Sequence, residues 1–233
     1  MDLILTAPEI RVLGCLLEKE TTTPEYYPLT LNSLVSACNQ KSNRDPVVEF
    51  DEEIVLHALD DLREKQLAMR VDVAGSRVPK FRHSFERRFE VSGAQKALLC
   101  VLFLRGPQTV GELRGRAQRM HAFPDLASVE QCLGGLAEPD EESLLTEPLV
   151  RELPRRPGRK EPRYAHLFLR LSDDPEAIDD PSVASEPPGQ PVSGHPQVDL
   201  HAAVEELRIE VDRLREEVAD LRKEIGGDVE TTC

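Results

Sequence analysis

The sequence contains no tryptophan and few aromatic residues of any kind, 4% in all. That scarcity speaks against a base-stacking platform for single-stranded nucleic acid, which needs rings in series. No apolar run approaches the length needed to cross a bilayer, and the N-terminus lacks the basic-then-apolar pattern of a secretion signal. A cytoplasmic protein without membrane contact is expected. The five cysteines are odd in number and none are paired in C-x-x-C spacing, so neither a disulfide framework nor a zinc site is indicated. Cys15, Cys38, Cys100 and Cys132 fall inside apolar helical patterns and read as small core residues, whereas Cys233 trails at the end. The six histidines are scattered without H-E-x-x-H spacing. A phosphate-binding glycine loop and a G-x-S-x-G elbow are both missing. The adjacent carboxylates Glu52-Glu53 and Asp60-Asp61 point in different directions if they lie on a helix. These absences leave no catalytic residue, metal ligand set or cofactor site to name, and a non-enzymatic protein is expected.

What the chain has in quantity is acid, at a formal net charge of −14 over 233 residues. The charge is unevenly spread: −4 over residues 1–90, +2 over 91–171 and −12 over 172–233. The acidity belongs mainly to the tail, and the body is close to neutral.

Helix signals open early. Thr6, Pro8 and Glu9 combine an N-cap, a first-turn proline and a capping-box glutamate. Ile10, Leu13, Leu16 and Leu17 then form an apolar stripe at helical spacing. After a loop holding Pro24, Tyr26, Tyr27 and Pro28, a second helix is predicted over residues 29–40. A third begins at Asp51, with Ile54, Val55, Ala58, Leu59 and Leu62 inward. Two β-rich runs at 68–73 and 77–83, split by Ala74-Gly75-Ser76, read as a hairpin. The order then repeats. Ser92, Thr109 and Ser128 each open a helix, and strands at 144–153 and 163–171 flank a basic Pro/Gly tip. Even details align, because Thr30-Leu-Asn-Ser-Leu34 opens its helix as Thr109-Val-Gly-Glu-Leu113 does. Helix–helix–helix–hairpin twice over predicts a mainly α fold with small β-hairpins (α+β): two tandem winged-helix domains, 1–90 and 91–171. A proline-rich acidic linker at 172–198 follows, and then a coiled-coil helix at 199–226.

Three strings carry a family resemblance. They are Arg11-Val-Leu-Gly-Cys-Leu-Leu-Glu-Lys-Glu20, Thr23-Pro-Glu-Tyr-Tyr-Pro-Leu29 and Ala37-Cys-Asn-Gln-Lys-Ser-Asn-Arg-Asp-Pro46. A fourth, Leu104-Arg-Gly-Pro-Gln-Thr-Val-Gly-Glu-Leu-Arg114 with Arg116, Arg119 and Met120, lies in the second repeat. Together they resemble the signature of the YceH family across most of residues 3–171. The resemblance implies a bacterial cytoplasmic protein with two winged-helix domains, and it implies no particular activity.

In a winged helix the third helix usually enters the major groove, while the preceding turn and the wing touch phosphates. Here the third helices are acidic, with Asp51, Glu52, Glu53, Asp60, Asp61 and Glu64 in the first and Glu130 and Glu138 in the second. The flanks are basic. The first unit offers Lys41, Asn43 and Arg44 in its turn and Arg77, Lys80 and Arg82 in its wing. The second offers Arg114, Arg116 and Arg119 near its turn and Arg155, Arg156, Arg159 and Lys160 in its wing. These residues are the expected contacts to double-stranded DNA. Two alternatives stand beside them: the turn at 39–44 satisfies helix ends while Arg44 pairs with a neighbouring acid, and the wing cations merely keep a loop soluble. A protein-interaction scaffold that offers the acidic helices to a basic partner is the rival function. Tyr26 and Tyr27 either form an exposed protein-binding spot or cover the first helix.

The tail carries an unbroken heptad seam of Leu200, Val204, Leu207, Val211, Leu214, Val218, Leu221 and Ile225. Valine or isoleucine at a, leucine at d, arginine at e (208, 215, 222) and glutamate at g (210, 217, 224) predict a parallel homodimer.

Overall fold

A computed structural model describes residues 3–72, 78–139, 145, 147–155 and 161–169. Among these residues the chain is α+β, with six α-helices and two small antiparallel sheets. They belong to one compact unit.

The first helix, α1 (Ala7–Thr22), starts where the capping box places it: Thr6 Oγ1 accepts from the Glu9 amide, and Glu9 accepts from the Thr6 amide at 2.7 Å. Thr30 caps α2 (Leu31–Cys38), and Asp51 caps α3 (Glu52–Glu64). The second helix is shorter than residues 29–40. Leu29–Thr30 form the strand β1 instead, and Asn39 ends the helix by turning its side chain to Phe50. Strands β2 (Ala68–Val71) and β3 (Lys80–His83) make the expected hairpin, and β1 adds to the other edge of β3.

The second round has the same order. Ser92 and Thr109 form capping boxes for α4 (Gly93–Arg105) and α5 (Val110–Ala117). The sixth helix, α6 (Leu126–Ala137), begins earlier than Ser128, because the Asp125 carboxylate accepts from the Ser128 amide and makes Asp125 the cap. Strands β4 (Val150–Leu153) and β5 (Arg163–His166) close the pattern. The bridge of Gln108 to Tyr164 stands where β1 stands in the first round, just before the threonine cap.

The two rounds share one core. In α1 every residue from 9 to 18 is buried, not merely one stripe, and in α4 every residue from 97 to 104 is buried. A helix covered all round must be surrounded, and α1 packs on α2, α3 and α4. Gly14 lies at the crossing, where a Cβ would stand 2.9 Å from Leu104 Cδ2. Four phenylalanines gather beside it: Phe89 and Phe103 both meet Phe168 edge-on, at 5.4 and 5.1 Å between ring centres, and Phe85 lies 4.9 Å from Phe89. The Leu5 amide donates to the Phe168 carbonyl at 2.7 Å, so the first and last described segments also meet.

Cys15, Cys38 and Cys100 are core residues, whereas Cys132 is only half-buried. No described helix is long and apolar enough to cross a membrane. The linker at 172–198, the heptad seam at 199–226, Cys233 and the wing residues Arg77, Arg156, Arg159 and Lys160 lie outside the described residues.

Candidate functional site

The turn after α2 is the best place to separate structural cations from available ones. Arg44 is buried, and its Nη2 meets Glu18 Oε2 at 2.6 Å while Nη1 meets Oε1 at 3.3 Å. Its Nε donates to the Ala37 carbonyl at 3.0 Å. Burial raises the Glu18 carboxyl, but the hydrogen bond and charge of Arg44, with Lys19 and Arg119, outweigh it and hold the group below the usual range. Arg11 of α1 reaches the same turn from below, donating to the Cys38 carbonyl at 3.1 Å and the Pro46 carbonyl at 2.6 Å. Asn43 has a positive φ of 59°, and its Oδ1 accepts from Arg105 of α4 at 2.7 Å. The Asp45 amide donates to the Leu104 carbonyl at 2.9 Å. The turn therefore docks on α1 and on the end of α4. As a DNA contact Arg44 is corrected: its guanidinium is consumed by Glu18 and by carbonyls. Lys41 alone of the three turn residues is exposed.

The second turn is used in the same way. Arg114 caps the approach to α6 by donating to the Phe123 and Pro124 carbonyls at 3.3 and 2.6 Å. Arg116 pairs with Glu112 at 3.4 Å, four residues back. Arg119 crosses to Glu18 at 3.0 Å with a side chain still 57% exposed. Sequence reasoning missed Glu18, Arg11 and Arg105. Their positions inside the family-like strings were the available signal.

The hairpins are different. Phe81 and His83 of β3 face the core, so the pleat turns Lys80 and Arg82 to the other face, where Arg82 is exposed. Arg155 is exposed just after β4. The outward face of α3 carries Glu52, Glu53, Asp60 and Glu64, all exposed. Beside it a groove of about 320 Å³ is lined by Leu56, Val78 and Phe81 together with Asp60, Arg63 and Arg70, with Leu56 42% and Val78 55% exposed.

One cluster has metal-like composition. Ligand atoms of Glu20, His83 and Glu86 lie within 4.8 Å of one another. Lys96 already sits between the carboxylates, 2.9 Å from Glu20 and 2.7 Å from Glu86. Its ammonium supplies the positive charge that a divalent ion would bring. The His83 ring is buried, accepts from the Phe85 amide through Nδ1 and meets Glu20 through Nε2 at 2.8 Å. Burial outweighs the two glutamates and keeps the imidazole below its ordinary range. The Tyr27 hydroxyl accepts from the His83 amide at 2.8 Å, so Tyr27 belongs to this joint, while Tyr26 is 70% exposed.

Fold and site thus define an α+β protein in which a three-helix-and-hairpin unit occurs twice and the turns serve as internal joints. A model for the family described as "Protein of unknown function, DUF480" matches residues 5–159, and the chain belongs to this family. A UPF0502 protein of Geobacter sulfurreducens is 57% identical over 173 residues, 74% of this chain and 76% of the relative. One from Citrifermentans bemidjiense is 58% identical over 168 residues, 72% and 75% of the two chains. One from Opitutus terrae is 50% identical over 200 residues, 86% and 82%.

Proposed function

We propose that the chain is a cytoplasmic, non-enzymatic tandem winged-helix protein of the YceH type. In this reading it binds double-stranded DNA through its hairpins and dimerises through a parallel coiled coil at 199–226. The observation that carries the reading is the outward pair Lys80 and Arg82 on β3, neither of which pairs with a described carboxylate. The hairpins take over the role that the turns have given up, because Asn43, Arg44, Arg114 and Arg116 are committed within the protein. Phosphate contact without base readout follows, since the acidic outer face of α3 is repelled by the duplex. Dimerisation doubles the cationic footprint without setting a half-site spacing. Binding to random duplex DNA, titrated with salt, is the test. Affinity should fall steeply as salt rises, and Lys80→Ala with Arg82→Ala should weaken binding and shallow the slope by about two charges. Alanine at Arg155, Arg156, Arg159 and Lys160 should do the same. No binding at low salt removes this reading.

A second reading rests on the groove beside α3. Exposed Leu56 and Val78 next to an acidic helix suit a protein partner with an apolar anchor and a basic rim. Capture of one stoichiometric partner that Leu56→Asp abolishes would favour the scaffold.

A further inference from the structure

The cluster of Glu20, His83 and Glu86 takes no part in the proposed DNA contact. Glu20 comes from the last turn of α1, His83 from the end of β3 and Glu86 from the short helical turn Phe85–Arg87. Lys96 reaches it from α4, so the cluster ties the first round to the second. Its charges do not balance. Glu20 and Glu86 bring two negative charges, and the Lys96 ammonium, 2.9 and 2.7 Å away, neutralises one. Among the described residues no other Lys or Arg lies within ion-pairing distance of either carboxylate. The His83 side chain is 1% exposed, and burial favours its neutral ring. That ring brings a lone pair to the cluster, with Nε2 2.8 Å from Glu20 and Nδ1 3.3 Å from Glu86. A divalent ion neutralises both carboxylates at once and takes neutral imidazole as a ligand.

We propose that Glu20, His83 and Glu86 bind a divalent transition ion of the zinc type, in exchange for the Lys96 ammonium. Imidazole beside carboxylates suits zinc, whereas magnesium and calcium take oxygen ligands. The three ligand atoms lie within 4.8 Å of one another, against about 3.4 Å around a tetrahedral ion. Glu20 and Glu86 are 29% and 44% exposed, so both carboxylates are free to close that gap. Water fills the fourth position. To bind, His83 Nε2 gives up its proton, and Nδ1 carries it instead. Glu86 Oε2 accepts that proton's hydrogen bond in place of the long contact from the Phe85 amide at 3.4 Å. Glu86 Oε1, the atom that meets Lys96, is left for the ion. The displaced Lys96 borders a pocket of about 200 Å³ with Thr21 and His121, which gives its side chain room to turn. Binding therefore cuts the ion pairs that fasten α4 to α1 and to the turn after β3.

The test is calorimetric titration of the full chain, stripped with a chelator, with zinc sulfate. One zinc should bind per chain. Glu20→Gln and Glu86→Gln should each weaken it about tenfold or more, the loss expected for even an outer partner of a metal site. Lys96→Met should tighten binding several-fold, because the ammonium no longer competes. Zinc should also raise the melting temperature of the parent chain and leave that of Glu20→Gln unmoved. Cys132→Ser with Cys233→Ser should keep the parent affinity. Absence of zinc binding overturns the proposal, as does binding that needs those cysteines or survives both glutamine variants. Magnesium held as tightly as zinc, or weaker binding in Lys96→Met, would overturn it too.

Discussion

Glu18 and Arg44 form a two-pronged ion pair inside the protein, with side chains 3% and 0% exposed and a shortest approach of 2.6 Å. The residues are 26 positions apart, and the pair ties the turn after α2 to the middle of the first helix. Removing Arg44 leaves Glu18 buried with only Lys19 at 3.7 Å and the largely exposed Arg119 at 3.0 Å, so the loss approaches the roughly 3–5 kcal/mol of a broken buried pair. Arg44→Met should lower stability by that order in urea denaturation. The double variant with Glu18→Met should recover much of the loss, since an apolar pair of similar volume needs no partner.

Lowering the pH tests the other buried base. His166 has an Nδ1 without a hydrogen-bond partner and packs edge-on against Phe103, and burial pushes its pKa down to about 4. The unfolded imidazole, at about 6.5, takes up its proton first. Between these two values the unfolded chain binds more protons, so stability falls as pH is lowered through that window. The contribution is on the order of 3 kcal/mol when the window has been crossed. His166→Phe should flatten this part of the stability profile, measured by denaturation midpoints at pH 7 and pH 4.5.

Two glycines on buried and exposed helices should respond in opposite ways. Gly14→Ala places a methyl 2.9 Å from Leu104 Cδ2 and 3.1 Å from Phe103 Cβ, so α1 and α4 must part. Overpacking of about 1–3 kcal/mol exceeds the helix-propensity gain of about 1 kcal/mol. The net effect should be a loss of up to about 2 kcal/mol in thermal or urea melts. Gly134→Ala, in the exposed part of α6 with nothing within 4 Å, should stabilise by about 0.5–1 kcal/mol.

The heptad seam makes an independent prediction about assembly. Sedimentation should give twice the chain mass for the full protein and one chain mass for a version ending at Leu171. Equal association in both would move the dimer contact into the body. Leu207→Asp with Leu214→Asp, both at d positions of the seam, should make the full chain behave as the truncated one.

Local chemistry alone settled where most helices begin. Thr6, Thr30, Asp51, Ser92 and Thr109 all cap as their side chains require, because an N-cap bond reaches only three residues along the chain. The first hairpin was equally legible, since strand alternation and an Ala-Gly-Ser break are local signals. Ser128 misled because Asp125, three residues earlier, accepts from the Ser128 amide and starts the helix sooner, while Ser128 Oγ donates to the Asp125 carbonyl.

The basic turns were not legible in the same way. Nothing near Arg44 in sequence distinguishes it from the exposed Lys41; the difference is Glu18, brought in by the packing of α1. Arg119 meets the same carboxylate from 101 residues away, and Asn43 meets Arg105 from 62. The sequence by itself determined the helices, the hairpins and their duplication, because each is decided within a few residues. Only the tertiary structure decided which arginines are internal joints and which face solvent, because the partner of a buried charge is chosen by packing between distant segments.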